Sequence, residues 1–185
     1  MPRNLILAAA SLLAAPLAMS PAAAQAQTQA QGQAARAQPT RIGTFQNWIA
    51  AHTQEQGQKV CYAFTNPTRS EGGPRNRGTV TLTVTHRATG RDQVAISVGY
   101  PYARQAEAVL TVGTTEFRSY ATVQSSAFFQ NGAQLIGAFR NGREAVGRSP
   151  GPPGRGAVTD TFPLSGFSAA YQAISRECPA PRPAR

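Results

Sequence analysis

The segment TVTLTVTHRATGRDQVAISV, residues 79–98, contains the clearest structural pattern in the chain. Threonine alternates with valine or leucine from 79 to 85, and every second residue from 94 to 98 is valine or isoleucine. Successive side chains of a strand point to opposite faces, so each alternation predicts a strand with one buried face and one solvated face. Residues 88–90 (ATG) supply a turn, and the segment therefore predicts an antiparallel hairpin.

Weaker strand patterns extend in both directions from this hairpin. Branched and aromatic residues predict strands at 42–49, 59–65, 108–112, 114–120 and 157–164. Glycine, proline and arginine predict loops at 70–78 and 148–156.

Two segments of the second half have helical spacing. Leu135, Ile136 and Phe139 share one helical face in residues 133–140, although the following Asn-Gly pair could equally be a hairpin turn. A longer apolar stripe predicts a final helix, with Ser165 or Ser168 as its N-cap: Phe167, Ala170, Tyr171, Ile174 and Cys178. The predicted fold class is mainly β, an antiparallel β-sandwich or barrel-like sheet with one or two short helices, the last at the C-terminus.

The N-terminal residues have the features of an export signal. Arg3 is followed by an uncharged stretch at 5–19, about 15 residues long, whereas a membrane-spanning helix needs about 20. Small residues at 22–24 predict cleavage after Ala24, and a retained membrane anchor is the alternative.

This signal sets the expected domain organisation. A signal peptide at 1–24 precedes a Gln/Ala-rich disordered linker at 25–40, a single β-rich domain at 41–178 and a Pro/Arg tail at 179–185. No later stretch is apolar enough to span a membrane. The expected location is periplasmic or secreted, with association with the outer membrane as a further possibility.

The cysteines and histidines favour a disulfide over a metal site. Cys61 and Cys178 are the only cysteines, and an even number of cysteines in an oxidising compartment predicts a bridge between them. His52 and His86 lie far apart in the sequence and near neither cysteine, which is too few ligands for zinc. We expect no metal and no cofactor.

The charge of the chain is strongly basic. Formal net charge is +10, and 17 of the 18 basic residues are arginine. This balance indicates an acidic partner, or else a GC-rich genome that encodes arginine in place of lysine. Most charges are scattered, apart from residues 75–77 and the series Arg140, Arg143, Arg148 and Arg155. No interleaved aromatic residues indicate a nucleic-acid surface.

Short matches to catalytic and phosphate-binding motifs lack the sequence context that these motifs require. Residues 147–151 (GRSPG) match the G-x-S-x-G hydrolase pattern, but the prolines that follow exclude a helix and no histidine follows His86. Residues 72–78 resemble a phosphate-binding loop without its Gly-Lys-Ser/Thr end, and a surface turn is the simpler interpretation. The eight carboxylates form no evident catalytic pair in the sequence, and we expect no catalytic residues.

The residues in order resemble the invasion-associated locus B family of secreted alphaproteobacterial proteins. The similar stretches are 42–48 (IGTFQNW), 59–63 (KVCYA), 98–101 (VGYP) and 156–171 (GAVTDTFPLSGFSAAY), closing at Cys178. The resemblance implies a β-rich exported fold and, in pathogenic members, a contribution to host-cell entry, without a catalytic motif to carry over. The chain departs from the family at Pro163 and in the insertion at 151–154, and it lacks the extra cysteine pair of some members.

Two hypotheses follow. The first is a non-enzymatic envelope or secreted protein that binds acidic envelope polymers or a host surface. The second is a hydrolase acting on an envelope polymer, with an active site assembled from dispersed residues. A pocket lined by two carboxylates would favour the second.

Overall fold

The structure is a computed structural model and describes residues 38–181. The predicted signal peptide, residues 25–37 of the predicted linker and residues 182–185 of the predicted tail lie outside the described residues.

The described residues form eleven strands and two helices. The strands are β1 Thr40–Phe45, β2 Trp48–Glu55, β3 Gln58–Thr65, β4 Arg69–Glu71, β5 Thr81–Arg87, β6 Gly90–Ser97, β7 Val109–Val112, β8 Thr115–Val123, β9 Ser126–Phe129, β10 Glu144–Pro150 and β11 Ala157–Pro163. The helices are α1 Gly132–Asn141 and α2 Phe167–Glu177. All pairings are antiparallel, and the strands form one open sheet in the order β1-β2-β3-β5-β6-β9-β8-β7-β10-β11-β4.

The central hairpin is confirmed as β5 and β6. Leu82 pairs with Ile96 and Val84 with Val94, and all four side chains are buried. The threonines of β5 alternate with them and lie half-buried on the outer face. The alternation therefore reports the two faces of the sheet correctly, although β5 begins at Thr81 and continues to Arg87.

The sheet folds over on its buried face. A Cβ atom at Gly147 in β10 would lie 3.0 Å from Cδ1 of Ile96 in β6, so these distant strands face each other closely. Near the end of the fold, Trp48 Nε1 in β2 donates a hydrogen bond to the carbonyl of Pro163 in β11, 2.9 Å away. The predicted fold class, a mainly antiparallel β domain with short helices and the last one C-terminal, is confirmed.

Both predicted helices are present. The residues expected to face the core of α1 are its buried ones, so the helix and not the alternative hairpin turn occurs there. In α2, Phe167 packs edge-on against Trp48 and Phe139, with ring centroids 4.9 and 5.2 Å apart. Neither helix within residues 38–181 has the length and apolarity that crossing a bilayer requires.

The predicted serine cap of α2 is wrong. Gly166 is the N-cap, without a side-chain cap, because its φ of 92° and its close approach to the Phe45 carbonyl exclude a Cβ atom. Ser165 instead donates a hydrogen bond to the side-chain carbonyl of Gln46.

Several predicted strand and loop boundaries are also wrong. The single strand expected at 42–49 is two strands, β1 and β2, joined by a turn at Gln46 and Asn47. The loop predicted at 70–78 contains part of β4, and the loop predicted at 148–156 begins with the last residues of β10. Strand β9 was not predicted.

Candidate functional site

Strand register places both histidines beside the disulfide. Cys61 in β3 lies opposite His52 in β2 on one side and opposite His86 in β5 on the other. Helix α2 covers this row, and Cys178 at its end is bonded to Cys61, with Cα atoms 6.0 Å apart. The predicted disulfide is therefore present. His52 and His86, which lie far from the cysteines in the sequence, thus lie beside Cys61 in the fold.

His86, which is fully buried, lies between a serine and an aspartate. Its Nε2 lies 3.1 Å from Ser175 Oγ in α2, and its Nδ1 lies 3.7 Å from Asp92 Oδ1 in β6. Tyr171 donates its phenolic hydrogen to the same Asp92 oxygen over 2.7 Å. These are the residue types of an acyl-transfer triad, so the proton positions decide what the cluster can do.

The proton positions do not suit a general base. The main-chain N–H of Asp92 donates to His86 Nδ1 over 3.3 Å, which favours the neutral tautomer that carries its proton on Nε2, facing Ser175. A base needs an unprotonated nitrogen facing the hydroxyl. Burial, and next the positive charge of Arg91, lower the pKa of His86, against smaller opposing effects of Asp92 and the Thr85 carbonyl. The cluster therefore holds a neutral histidine between the sheet and α2.

Arg91 in β6 adds further contacts to α2 and to its C-cap residue. Its guanidinium donates to the main-chain carbonyl of Cys178 and lies 3.5 Å from Ser175 Oγ. Together with the disulfide, these contacts fix the C-terminal end of α2 on the sheet.

The loop at residues 72–78 supplies an internal ion pair and not a phosphate cradle. Arg77 Nη2 lies 2.6 Å from Asp160 Oδ2, and the Arg77 and Asp160 side chains are 11% and 3% exposed. Ser70 donates to the other Asp160 oxygen over 2.6 Å, and Arg77 Nε donates to the Val98 carbonyl over 3.0 Å. The pair joins the loop before β5 to β11 of the other half of the sheet.

The G-x-S-x-G match is part of the core. Residues 147–150 lie in β10 and run into a hairpin, so no strand-turn-helix forms there. Ser149 is buried, and its Oγ lies 2.8 Å from the Tyr102 hydroxyl. Burial raises the pKa of Tyr102 to about 12. Residue 149 is thus a buried hydrogen-bonding serine and not an exposed nucleophile.

Carboxylates neutralise only part of the positive charge of the described residues. Ion pairs involve Lys59, Arg69, Arg77, Arg87 and Arg118. Within residues 38–181, the following arginines have no carboxylate within ion-pair distance: Arg41, Arg75, Arg91, Arg104, Arg140, Arg143, Arg148, Arg155 and Arg176. Arg140 stacks over Tyr171 at 4.9 Å. The described surface is consequently rich in unpaired guanidinium groups.

Two of these arginines line an open cleft of about 540 Å³ on the outer face of β7, β8, β10 and β11, here called the β10–β11 cleft. Arg148 lies in β10 and Arg155 in the β10–β11 loop, whereas Glu116 and Arg118 lie in β8, on the other side of β7, and Glu107 precedes β7. The lining also includes the apolar residues Val109, Pro150 and Ala157. The cleft thus combines two unpaired cations, two carboxylates and an apolar floor.

The two carboxylates of the cleft share one partner. Arg118 Nη1 lies 2.5 Å from Glu107 Oε1, and Arg118 Nη2 lies 3.9 Å from Glu116 Oε2. The sequence did not indicate this pairing, because the register Val109–Arg118 that brings β7 and β8 together is not encoded in local spacing. The arginine series 140–155 was the one visible signal of the cleft, and the structure places Arg148 and Arg155 in the cleft, Arg140 in α1 and Arg143 between α1 and β10.

A family model and a solved structure point to the same protein family. A sequence model of the family described as "Invasion associated locus B (IalB) protein" matches residues 48–175. The crystal structure of invasion associated protein B from Bartonella henselae is similar in fold, with a TM-score of 0.50 and 20% sequence identity over 75% of this chain and 97% of that one. No curated protein sequence matches the chain.

Proposed function

Because the chain belongs to the invasion associated locus B family, we propose that it is an exported binding protein without catalytic activity. It attaches through its arginines to acidic polymers of the bacterial envelope, or to a host-cell surface. Its place of action is the periplasm, the outer membrane or the medium.

The unpaired arginines of residues 38–181 are the observation that carries this proposal. Free guanidinium groups attract carboxylate and phosphate groups and match their geometry with two parallel hydrogen bonds. The whole chain has a net charge of +10, so the long-range field has the same sign as the local contacts. Such attraction recruits an acidic polymer and is weakened by salt, since exposed charges are screened beyond about 8–10 Å at physiological ionic strength.

The proton arrangement at His86 supports a binding role over catalysis. The one Ser-His-Asp cluster described above presents a protonated nitrogen to its serine, and both cysteine sulfurs are used in the disulfide. Neither comparison names an enzymatic activity. The name of the Bartonella protein associates that protein with invasion, and we extend a contact with host cells to this chain as part of the proposal.

A titration against charged and neutral surfaces tests the proposal. Vesicles that contain an anionic phospholipid, and separately lipopolysaccharide, should bind the purified protein, whereas vesicles of zwitterionic lipid should not. Affinity should fall steeply over a rising NaCl series. Binding that is unaffected by salt, or equal binding to zwitterionic vesicles, would contradict the electrostatic mechanism.

A second candidate function, glycan hydrolysis, is favoured by the two carboxylates of the β10–β11 cleft. Glycoside hydrolases use one carboxylic acid and one carboxylate. Arg118 contacts both Glu107 and Glu116, so each carboxylate already has an ion-pair partner. Turnover of an envelope glycan that is abolished in both Glu107→Gln and Glu116→Gln variants would establish the hydrolase and refute the binding-only proposal.

A further inference from the structure

We infer that the β10–β11 cleft is a binding site for an acidic sugar, a pyranose ring that carries a carboxylate, with Arg148 and Arg155 as the residues that bind the carboxylate. This inference rests on the proposed binding function and names its ligand class and its site.

Strand register sets the order of side chains across the cleft. Arg148 in β10 lies opposite Val109 in β7, and Val109 lies opposite Arg118 in β8. The three side chains share the outer face of the sheet, so an apolar residue separates the two arginines. Arg148, which has no carboxylate partner, is therefore separated from Arg118, which Glu107 and Glu116 neutralise.

The β10–β11 hairpin loop supplies the second unpaired cation. Gly151 N–H donates to the Gly156 carbonyl over 3.1 Å, and Arg155 N–H donates to the Pro152 carbonyl over 2.9 Å. Pro152 and Pro153 have restricted φ angles, which limits the conformations of this loop. The backbone that carries Arg155 is therefore held in place before a ligand binds, and less entropy is lost on binding.

The other lining groups select the kind of anion. Val109, Pro150 and Ala157 offer an apolar floor to the C–H face of a sugar ring, and Glu107 and Glu116 can accept hydrogen bonds from its hydroxyls. The same two carboxylates repel a phosphate monoester, with its charge of about −1.5 to −2 at pH 7, more strongly than they repel a single carboxylate. The combination fits a singly charged, hydroxyl-rich ring better than a phosphate or an uncharged sugar.

Calorimetric titration of the exported, oxidised protein tests the inference with defined probes. Oligogalacturonate represents an envelope-type uronic acid polymer, and a sialylated oligosaccharide represents an acidic host glycan. A neutral maltooligosaccharide of similar length serves as the control without a carboxylate. Binding to either acidic probe, with the neutral one at least tenfold weaker, supports the inference, and the better acidic probe identifies the source.

Two double variants that remove the same charge distinguish binding in the cleft from diffuse electrostatic attraction. Arg148→Gln/Arg155→Gln should weaken binding of the acidic probe by about tenfold or more, because it removes charge-assisted hydrogen bonds. Arg75→Gln/Arg104→Gln removes the same charge from exposed arginines outside the cleft and should change the affinity by about twofold at most. Thermal unfolding of both double variants verifies that the fold is kept, as expected for exposed side chains.

Three outcomes would overturn the inference. Equal losses in the two double variants would mean diffuse electrostatic binding, which leaves the proposed function intact and removes the cleft as a site. Equal affinity for the neutral probe would remove the role of the carboxylate. Failure of the unmodified protein to bind any anionic polymer or vesicle would refute the proposed function itself.

Discussion

Arg77 and Asp160 form the most buried ion pair among residues 38–181, and each buried charge is compensated by the other. Asp160→Asn should lower the free energy of unfolding by about 3–5 kcal/mol, because it leaves the guanidinium buried beside a neutral amide. Glu71→Gln breaks the exposed pair with Arg69 and serves as the control, with almost no expected change. Urea unfolding measures both. Equal, small effects would show that the Arg77–Asp160 pair does not hold the two halves together.

His86 should make the stability of the domain depend on pH. The unfolded chain binds the histidine proton near the ordinary pKa of 6.5, whereas the pKa in the folded protein is lowered, first by burial and then by Arg91. Between these two values the unfolded state holds more protons, so this contribution to stability is present above 6.5 and is lost as the pH falls through that window.

The measurement is urea unfolding from neutral pH downward for the wild type and for His86→Gln, which retains a donor and an acceptor beside Ser175 and Asp92. The variant should show a flatter pH dependence below 6.5. Parallel curves for the two proteins would contradict a lowered pKa for His86.

Individual elements show how far local sequence determines this fold. The alternation in residues 79–98 predicted β5 and β6 because burial on one face selects every second residue. The turn between β1 and β2 was missed because Gln46 occupies it with φ of 51°, a conformation usually associated with glycine or asparagine. Gln56, Gln105 and Gln124 adopt positive φ in the same way, so turn composition was a poor guide along much of this chain.

The candidate site was less predictable than the elements. Glu107, Arg118 and Arg148 come together through the β8-β7-β10 pairing, which depends on contacts distant in sequence. The row of His52, Cys61 and His86 likewise results from the register of three strands. Sequence supplied the residue types, and only the tertiary fold supplied their neighbours.

The disulfide adds a covalent link between helix α2 and the sheet, beside the packing and hydrogen bonds that hold the helix there. Cys61 and Cys178 are separated by 117 residues, and loop-closure entropy gives about 4.7 kcal/mol for a loop of about 100 residues. Reduction should therefore lower the melting temperature by about 15 °C. A Cys61→Ala/Cys178→Ala variant should melt near the reduced wild type and should not respond to the reductant. A melting temperature that reduction leaves unchanged would contradict this role of the bridge.

Charge is unevenly distributed over the whole sheet. One register row on the outer face crosses seven strands without a charged residue: Thr44, Ile49, Phe64, Thr83, Ala95, Phe128 and Ala121. The outer-face row that runs from β8 through β7, β10 and β11 to β4 contains Arg118, Arg148 and Glu71. An acidic polymer should therefore contact the face formed by β7, β8, β10 and β11, which also contains the β10–β11 cleft.

Export of the whole molecule is a prediction that concerns residues outside the described part. The basic residue Arg3, the short apolar stretch at 5–19 and the small residues at 22–24 predict cleavage after Ala24, so that the mature chain begins at Gln25. Intact mass of protein recovered from the periplasm or the medium measures this directly. An Ala22→Phe/Ala24→Phe variant places large residues at the cleavage site and should accumulate as the uncleaved precursor.

Soluble exported protein that retains residues 1–24 would contradict the cleavage prediction, whereas cleavage after Ala26 would move the site by one short step and leave export unchanged. The same samples relate export to folding, because the disulfide requires an oxidising compartment. Protein made without residues 1–24 in a reducing cytoplasm should contain free Cys61 and Cys178 thiols and should melt at the lower temperature of the reduced form. Oxidation after purification should restore the higher melting temperature, since the two cysteines are already aligned by the packing of α2 on β3.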